Sequence, residues 1–342
     1  MATSDGTDPT WETGPVSPDS PVAADGAGRS WEAIERRWAP GRPVDLGATL
    51  GPMRRGPGDP TFRFGGLAGL GGTSGLWRTT RTPVGTATLH LQVRPSDGEV
   101  LGTAWGAGAD WVLDKMPDLL GASDDPTGFA PDHPVLRDVW RARQGWRVPR
   151  SGRVLEALIP AVLEQKVTGS EAFRAWRWLV TAYGERAPGP VELRPDLWVA
   201  PDGPTWAKVP SWDWHRAGVD RSRSGTAVTV AGRAGRLEAL VEKTPAEAAR
   251  LLRTLPGVGI WTAAETSQRA LGDADAVSVG DFHVAARVGF ALVGEKVDDA
   301  GMLELLEPYR GHRYRVQRLV EMSGLAPPRR GPRFAGRDFR AM

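Results

Sequence analysis

The stretch Thr244–Leu271, TPAEAARLLRTLPGVGIWTAAETSQRAL, contains the pattern on which the interpretation of this chain depends. Thr244 is a typical helix N-cap and Pro245 a typical first helical residue, which predicts a helix from there to about Thr254. A second helix is predicted to begin near Ile260. Two short helices joined by glycines place free backbone N–H groups at a helix N-terminus, and such groups favour the binding of an anion such as a phosphate.

The turn between these two helices has the residue types that such an anion site requires. Gly257 and Gly259 permit close approach of a phosphate backbone and backbone angles that a Cβ would forbid. Val258 is expected to point back into the core and lock the turn. The alternative is an ordinary corner between two helices with glycine at a helix end, and this motif alone does not decide between the two interpretations.

Three motifs, in order along the chain, resemble the helix-hairpin-helix DNA glycosylase superfamily. The first is VLEQKVT at 162–168, which is similar to a helix end that borders the DNA kink in that family. The second is the hairpin LPGVGIWT at 255–262. The third is Asp281, which follows Gly259 by 22 residues and precedes another predicted helix. Each motif alone is a moderately specific signal for the family, whereas the three motifs in this order and at this spacing are a strong one.

The N-terminal half resembles a particular type within that superfamily. A small sheet followed by DKMPDLLG at 114–121 is similar to the 3-methyladenine DNA glycosylase II (AlkA-like) type. The resemblance covers roughly residues 31–325. It implies a monofunctional DNA glycosylase of base excision repair, which hydrolyses the N-glycosidic bond of a flipped base and leaves an abasic site. The competing interpretation is a non-catalytic helix-hairpin-helix protein that only binds DNA.

The periodicity of the chain predicts an α+β fold. Residues 86–94 alternate between apolar and polar side chains as a half-buried strand does, and 62–64 and 76–80 are further strand candidates. A helix is predicted at about 109–120. From about Pro131 onward the apolar period becomes 3.6 residues. A small antiparallel β-sheet is therefore expected to precede an all-helical domain.

Composition divides the chain into four predicted segments. Residues 1–29 contain few apolar side chains and are predicted to be a disordered tail. Residues 30–130 are predicted to form the antiparallel β domain and 131–325 a helical domain, which the resemblance implies is the helix-hairpin-helix glycosylase domain. Residues 326–342 are predicted to form a basic C-terminal tail. Pro160 lies within an apolar helical pattern, so a kink or a broken helix start is expected there.

The composition also restricts the chemistry open to this chain. Its 342 residues include no cysteine, which excludes disulfides, thiolate nucleophiles and cysteine-held metal clusters. Lys and Arg number 43 against 41 Asp and Glu, a formal net charge of +2, which argues against a polycation that coats nucleic acid. No His, Asp and Glu spacing suggests a divalent site, so no metal or other cofactor is predicted. The resemblance alone implies a monovalent cation at the hairpin carbonyls.

The same features lead to expectations about location and partners. The sequence has no apolar run of about 18 residues and no signal-peptide pattern, so we expect a soluble protein in the cytoplasm, associated with the nucleoid. The expected partner is double-stranded DNA that contains damaged bases. Neither a membrane nor a protein partner is expected, and the chain is predicted to be a monomer.

Asp281 is the candidate catalytic residue. Breaking an N-glycosidic bond builds positive charge on the deoxyribose, and a fixed carboxylate stabilises that charge as it develops. It can also orient or deprotonate the attacking water. The alternative is that Asp281 only caps the next helix, a common role for aspartate. The hairpin and its spacing favour catalysis.

Bifunctional members of the family carry lysine at the second position after the last hairpin glycine. This chain has Trp261 there, so the resemblance predicts a monofunctional enzyme that uses water. An electron-rich indole suits a cationic alkylated purine, the preferred substrate, and Phe282 is a second candidate wall of the base pocket. The expected DNA-binding residues are Leu255, Gly257, Val258, Gly259 and Thr262 of the hairpin, with Gln165 and Lys166 upstream.

Some residues depart from the pattern of the alkyl-purine type. Glu265 stands where that type has a pocket aromatic; it faces solvent, pairs with an arginine, or adds negative charge near a cationic base. Lys166 occupies the position of an apolar wedge. Near the last helix, Arg318 lies where another aromatic is expected, with Tyr309 and Tyr314 close by in sequence.

Overall fold

The structure, a computed structural model, describes residues 32–65, 75–190 and 197–328. The segment 1–29, which the sequence predicts to be disordered, lies outside the described residues, as does the predicted tail 326–342 apart from its first three residues. Within the described part, a five-stranded antiparallel sheet precedes a body of helices, so the predicted α+β fold is confirmed.

The sheet is a meander in its central part, with an added strand at one edge. Its order is β1-β5-β4-β3-β2, and all neighbouring strands are antiparallel. The three predicted strands are confirmed as β2, β3 and β4, whereas β1 and β5 were not predicted. The strands are β1 (Ile34–Trp38), β2 (Phe62–Phe64), β3 (Leu76–Thr82), β4 (Gly85–Arg94) and β5 (Glu99–Trp105), with a two-stranded ribbon of β6 (Glu185–Arg186) and β7 (Trp198–Val199).

Two prolines shape the helices. The predicted helix at 109–120 is in fact two short helices, because Pro117 has no N–H with which to continue the first one. Pro160 lies in the last turn of a helix that begins at Val154 and is unbroken, so the expected broken start is wrong. None of the described helices is long and apolar enough to cross a membrane.

The helices are numbered along the chain. They are α1 (Leu46–Leu50), α2 (Ala109–Asp114), α3 (Met116–Leu119), α4 (Pro134–Ala142), α5 (Val154–Leu163), α6 (Gly169–Tyr183), α7 (Gly203–Lys208), α8 (Ser211–Arg216), α9 (Arg221–Ala231), α10 (Ala234–Glu238), α11 (Pro245–Leu252), α12 (Ile260–Ala270), α13 (Val284–Val293), α14 (Asp299–Leu306) and α15 (Arg313–Ser323).

The three largest apolar clusters hold most of these elements together. The first lies between the sheet and α2–α3, where Met116 is buried. The second fills the helical body and includes the stacked indoles of Trp176, Trp206 and Trp214, with centroids 6.2 and 5.8 Å apart. The third joins α4 to α13, α14 and α15, which are distant in sequence. The domain boundary after residue 130 stays a prediction.

A buried ion pair attaches α15 to the loop after α3. Arg315 has no exposed side-chain surface, and its two terminal nitrogens donate to the carboxylate of Asp124 at 3.0 and 2.7 Å. The guanidinium also lies 5.6–5.7 Å from the ring centroids of Phe129, Trp140 and Trp146. A buried guanidinium is stable only when it is paired and hydrogen-bonded. This contact therefore fixes the rotation of α15, whose other faces line the site described below.

The contact between Asp124 and Arg315 predicts a large stability effect. We expect Asp124→Ala to lower the free energy of unfolding by about 3–5 kcal/mol, because it leaves a buried positive charge without a partner. The matched control is Glu307→Ala, which removes the exposed partner of Arg310 and should change stability by less than about 0.5 kcal/mol. Urea unfolding followed by tryptophan fluorescence measures both. Equal effects of the two substitutions would contradict the assigned role of Asp124.

Candidate active site

The predicted pair of helices around the glycine turn is confirmed. Thr244 and Glu247 form a capping box, since each side chain accepts a hydrogen bond from the backbone N–H of the other residue, and α11 ends at Leu252. The second helix, α12, begins at Ile260 with Gly259 at its N-cap. No side chain of the described residues caps α12. Its first N–H groups are therefore available at an exposed helix N-terminus.

The two glycines of the turn have different roles. Gly257 has φ +82°, and a Cβ there would lie 2.0 Å from Oγ1 of Thr226 in α9. Gly259 has an ordinary φ of −88°, and a Cβ there would meet nothing within 4 Å. Val258 between them is buried in the helical core, as the sequence predicted. The turn is therefore locked by Gly257 and Val258 and open to solvent at Gly259.

The end of α5 is joined to the same turn. The amide nitrogen of Gln165 donates to the carbonyl of Gly257 at 2.9 Å and to Oγ1 of Thr262 at 2.8 Å. Lys166 follows with φ +55°, a left-handed conformation that non-glycine residues adopt at a cost, and its side chain is exposed. Thr262 is buried, so the structure does not bring its side chain to the surface as expected; it receives the hydrogen bond of Gln165 instead.

The carboxylate of Asp281 combines the two roles that the sequence left open. Oδ1 accepts hydrogen bonds from the backbone N–H of His283 at 2.8 Å and of Val284 at 3.1 Å, which caps α13. Oδ2 accepts from Nε1 of Trp261 at 3.2 Å. The carboxylate is half-buried and is held by α12 on one side and by α13 on the other. Capping and a catalytic position are thus compatible in one group.

A cleft of about 210 Å³ opens beside Asp281, between α12, α13 and α15. Its walls are mainly polar and charged, which the sequence did not predict. Arg287 of α13 was not identified from the sequence, because no motif marks it. The side chains that line it include Asp281, Glu265, Arg269, Arg287, Tyr314 and Arg318.

Glu265 lies at the floor of the cleft and is buried, so of the three alternatives the solvent-facing position is wrong and the pairing with an arginine is confirmed. Its carboxylate pairs with Arg269 at 2.7 Å and accepts a hydrogen bond from Ser278 at 2.6 Å. Burial raises the pKa of Glu265, but the charge of Arg269 and the two hydrogen bonds outweigh it, so the net pKa is below the ordinary value. Glu265 is therefore an ionised, fully occupied partner of Arg269.

Two of the three residues noted near the last helix line the cleft. Burial raises the pKa of Tyr314 to about 12, so its hydroxyl stays neutral at physiological pH. Arg318 forms an ion pair with Glu321, one turn along α15. Tyr309 lies elsewhere: it is buried in the third apolar cluster, where its hydroxyl contacts His133.

Neither of the expected aromatic walls, Trp261 and Phe282, is among the side chains that line the cleft. Phe282 is 84% exposed, and its ring lies edge-on to His283 with centroids 4.9 Å apart. Because Asp281 turns inward to cap α13, the next side chain turns outward. The structure therefore does not bring Phe282 into the cleft. Trp261 is half-buried and bonded to Asp281. The described residues contain no group of three or more His, Asp or Glu that could hold a metal ion.

No protein-family model matches the chain. A curated relative, the probable bifunctional transcriptional activator/DNA repair enzyme AlkA of Mycobacterium tuberculosis, is 30% identical over 219 residues, which are 60% of this chain and 41% of the relative. The chain thus matches less than half of that relative's length.

Two solved structures share most of the fold. The 3-methyladenine DNA glycosylase of Archaeoglobus fulgidus has a TM-score of 0.67 at 17% identity, covering 84% of this chain and 98% of its own. The apo form of the 8-oxoguanine glycosylase/lyase of Clostridium acetobutylicum has a TM-score of 0.64 at 11% identity, covering 86% of this chain and 98% of its own. These similarities confirm the fold that the resemblance implied.

Substitution by alanine is predicted to affect stability at one hairpin glycine and not at the other. We expect Gly257→Ala to lower the free energy of unfolding by about 1–3 kcal/mol, because alanine is strained at positive φ and its Cβ would clash with Thr226. Gly259→Ala is the matched control and should change stability by less than about 0.5 kcal/mol. Urea unfolding measures both variants. A Gly257→Ala variant as stable as the Gly259→Ala variant would contradict the described turn.

Proposed function

We propose that this chain is a DNA glycosylase that hydrolyses the N-glycosidic bond of a damaged base flipped out of double-stranded DNA. The observation that carries the proposal is the position of Asp281, whose carboxylate lines the cleft and is bonded to Trp261, two residues after the last hairpin glycine. The N-terminus of α12 is suited to a phosphate, and Trp261 in the first turn of the same helix holds the carboxylate of Asp281. The curated relative is named as a DNA repair enzyme and the structural neighbours as DNA glycosylases, and these names agree with the assignment.

In the proposed reaction, the bond between C1′ of the deoxyribose and the base nitrogen breaks, and its electron pair leaves with the base. Positive charge develops on the sugar, and the carboxylate of Asp281 stabilises it most strongly in the transition state. Water adds to C1′, and its proton passes to the carboxylate or to solvent. The products are the free base and an abasic site in the DNA.

The hairpin is proposed to bind the DNA backbone. The open N-terminus of α12 offers N–H groups to a phosphate, and the absence of a side chain at Gly259 lets the phosphate approach. Leu255, Gly257 and Val258 shape this turn, and Gln165 fixes it to the end of α5. Lys166, the next residue after Gln165, adds an exposed positive charge. Duplex DNA is accordingly the proposed partner.

We further propose that the enzyme is monofunctional. A Schiff base with the sugar requires an amine, and Trp261 has only an indole N–H, which already donates to Asp281. Among damaged bases we propose alkylated purines, because a positively charged base leaves readily and needs no strong general acid. The 3-methyladenine glycosylase of Archaeoglobus fulgidus, which shares the fold, is named for such a base.

The proposed catalytic role predicts a loss of base release without a loss of DNA binding. We expect Asp281→Asn to lower the single-turnover rate of release from methylated duplex DNA by at least about 100-fold. Its affinity for the same DNA should change by less than about threefold, because asparagine still caps α13. Chromatography of free bases measures release, and fluorescence anisotropy measures binding. Borohydride treatment should trap no covalent protein–DNA adduct.

Two results would contradict the proposal. Salt-sensitive DNA binding without release of any alkylated, deaminated or oxidised base would identify a non-catalytic binding protein. Full activity of Asp281→Asn would show that another group stabilises the sugar. A borohydride-trapped adduct with the wild-type protein would overturn the monofunctional assignment alone.

A further inference from the structure

The acceptors on the floor of the cleft are already occupied. Both oxygens of Glu265 have donors, one in Arg269 and the other in Ser278. The side-chain oxygen of Gln317 accepts from the backbone N–H of Ser278, and its amide nitrogen donates to Oγ of Ser278 and to Glu321. A bound base would therefore find few acceptors for its own N–H groups on this side.

By contrast, Arg318 in the cleft has hydrogen-bond donors that are not occupied by any described residue. Arg318 uses Nη1 for its ion pair with Glu321, and its buried Nε has no hydrogen-bond partner among the described residues. Nη2 likewise makes no hydrogen bond within the described part of the chain. Nε and Nη2 lie on the same edge of a planar guanidinium, so this edge is a free two-pronged donor. A buried N–H group without a partner costs free energy, and the residue that carries it lines a cleft that can admit a ligand.

Nearby groups add to this excess of donors. The hydroxyl of Tyr314 makes no hydrogen bond within the described residues, and it stays protonated because burial raises its pKa to about 12. Arg287 also lines the cleft and has no ion-pair partner among the described residues. Glu265 and Glu321 are each neutralised by an arginine. The base side of the cleft therefore favours a ligand that is rich in hydrogen-bond acceptors.

We propose that the cleft selects damaged purines with a carbonyl oxygen at C6 over purines with an amino group there, and that the Nε/Nη2 edge of Arg318 makes this distinction. The inference rests on the proposed glycosylase function and narrows its substrate class. A two-pronged arginine edge matches the O6/N7 edge of a 6-oxopurine with an unmodified N7, which presents two acceptors side by side. A 6-aminopurine presents a donor at C6, which would face another donor.

The same contact contributes to catalysis when the base is neutral. The bond between C1′ and N9 breaks, and the electron pair stays on the purine, where the negative charge spreads to N7 and O6. Hydrogen bonds from a positively charged donor strengthen as that charge grows, so Arg318 stabilises the transition state more than the bound substrate. The released purine takes up a proton from solvent, and the sugar takes up hydroxide from water, so the reaction remains a hydrolysis.

The test compares bases that differ at C6. Single-turnover release is measured from a duplex with one hypoxanthine, and from methylated DNA that contains both 7-methylguanine and 3-methyladenine. Arg318→Gln should lower release of hypoxanthine by about 10- to 100-fold and change release of 3-methyladenine by less than about threefold. The loss for 7-methylguanine should be smaller than that for hypoxanthine, about 3- to 10-fold, because its methylated N7 leaves O6 as the one acceptor on that edge. Arg318→Lys should release hypoxanthine little faster than Arg318→Gln does, because an ammonium group has no planar two-donor edge. The control is Arg310→Gln, an exposed arginine outside the cleft.

A second measurement uses the wild-type protein and does not depend on the folding of any variant. Free hypoxanthine should inhibit base release at a concentration at least about tenfold lower than free adenine. Equal inhibition by the two free bases would overturn the proposal, as would an equal loss by Arg318→Gln on all three substrates or no loss on any. If the wild-type protein releases only 3-methyladenine, the glycosylase function stands and this inference fails. If it releases none of the three bases, the proposed function itself fails for them.

Discussion

The position of one carboxylate depends on two helices at once, and the functional account follows from that constraint. Oδ1 of Asp281 accepts from the backbone N–H groups of His283 and of Val284, the first residue of α13, and Oδ2 receives the indole N–H of Trp261 on α12. The carboxylate therefore cannot rotate without losing a helix cap. Because α12 also begins at the glycine turn, the proposed phosphate site at that turn and the proposed sugar site beside Asp281 belong to one rigid unit. Preorganisation of this kind is what electrostatic catalysis requires.

The unit is rigid because distant parts of the chain support it. Gln165 joins the end of α5 to the turn, and Val258 anchors the turn in the helical core. On the opposite side of the cleft, the pair of Arg315 and Asp124 fixes α15. The ion pair of Glu265 with Arg269 keeps two charges in the floor without leaving either unpaired. Buried charges that are paired in this way set the polarity of the cleft more than they add to stability.

Much of this arrangement is predictable from the sequence, where the signals are local. The capping box at Thr244, the start of α12 at Ile260, the inward direction of Val258 and the strand at 86–94 all follow from short-range patterns. The pair of Glu265 with Arg269 also has a local signal, since the residues are four apart on a helix, although its burial depends on distant contacts. The strands β1 and β5 escaped prediction. Gly102 of β5 weakens the strand signal, and a Cβ there would lie 2.6 Å from the sulfur of Met116.

What the sequence could not provide is the direction of side chains that tertiary contacts decide. Phe282 turns outward because its neighbour caps α13, and no pattern in the sequence states which of the two faces the cleft. Arg287 and the free edge of Arg318 become visible only when α13 and α15 pack against α12. The aromatic pocket expected from the family resemblance is accordingly replaced by a polar cleft, and the reasons lie in long-range packing.

The central claim is that the carboxylate of Asp281 stabilises positive charge at the sugar. The most direct measurement compares the affinity of the protein for two duplexes of identical sequence, one with a positively charged pyrrolidine in place of the deoxyribose and one with a neutral tetrahydrofuran. The account predicts that the cationic duplex binds at least about tenfold more tightly, and that Asp281→Asn abolishes this preference. Equal affinity of the wild-type protein for both duplexes, or a preference that survives in the variant, would contradict it.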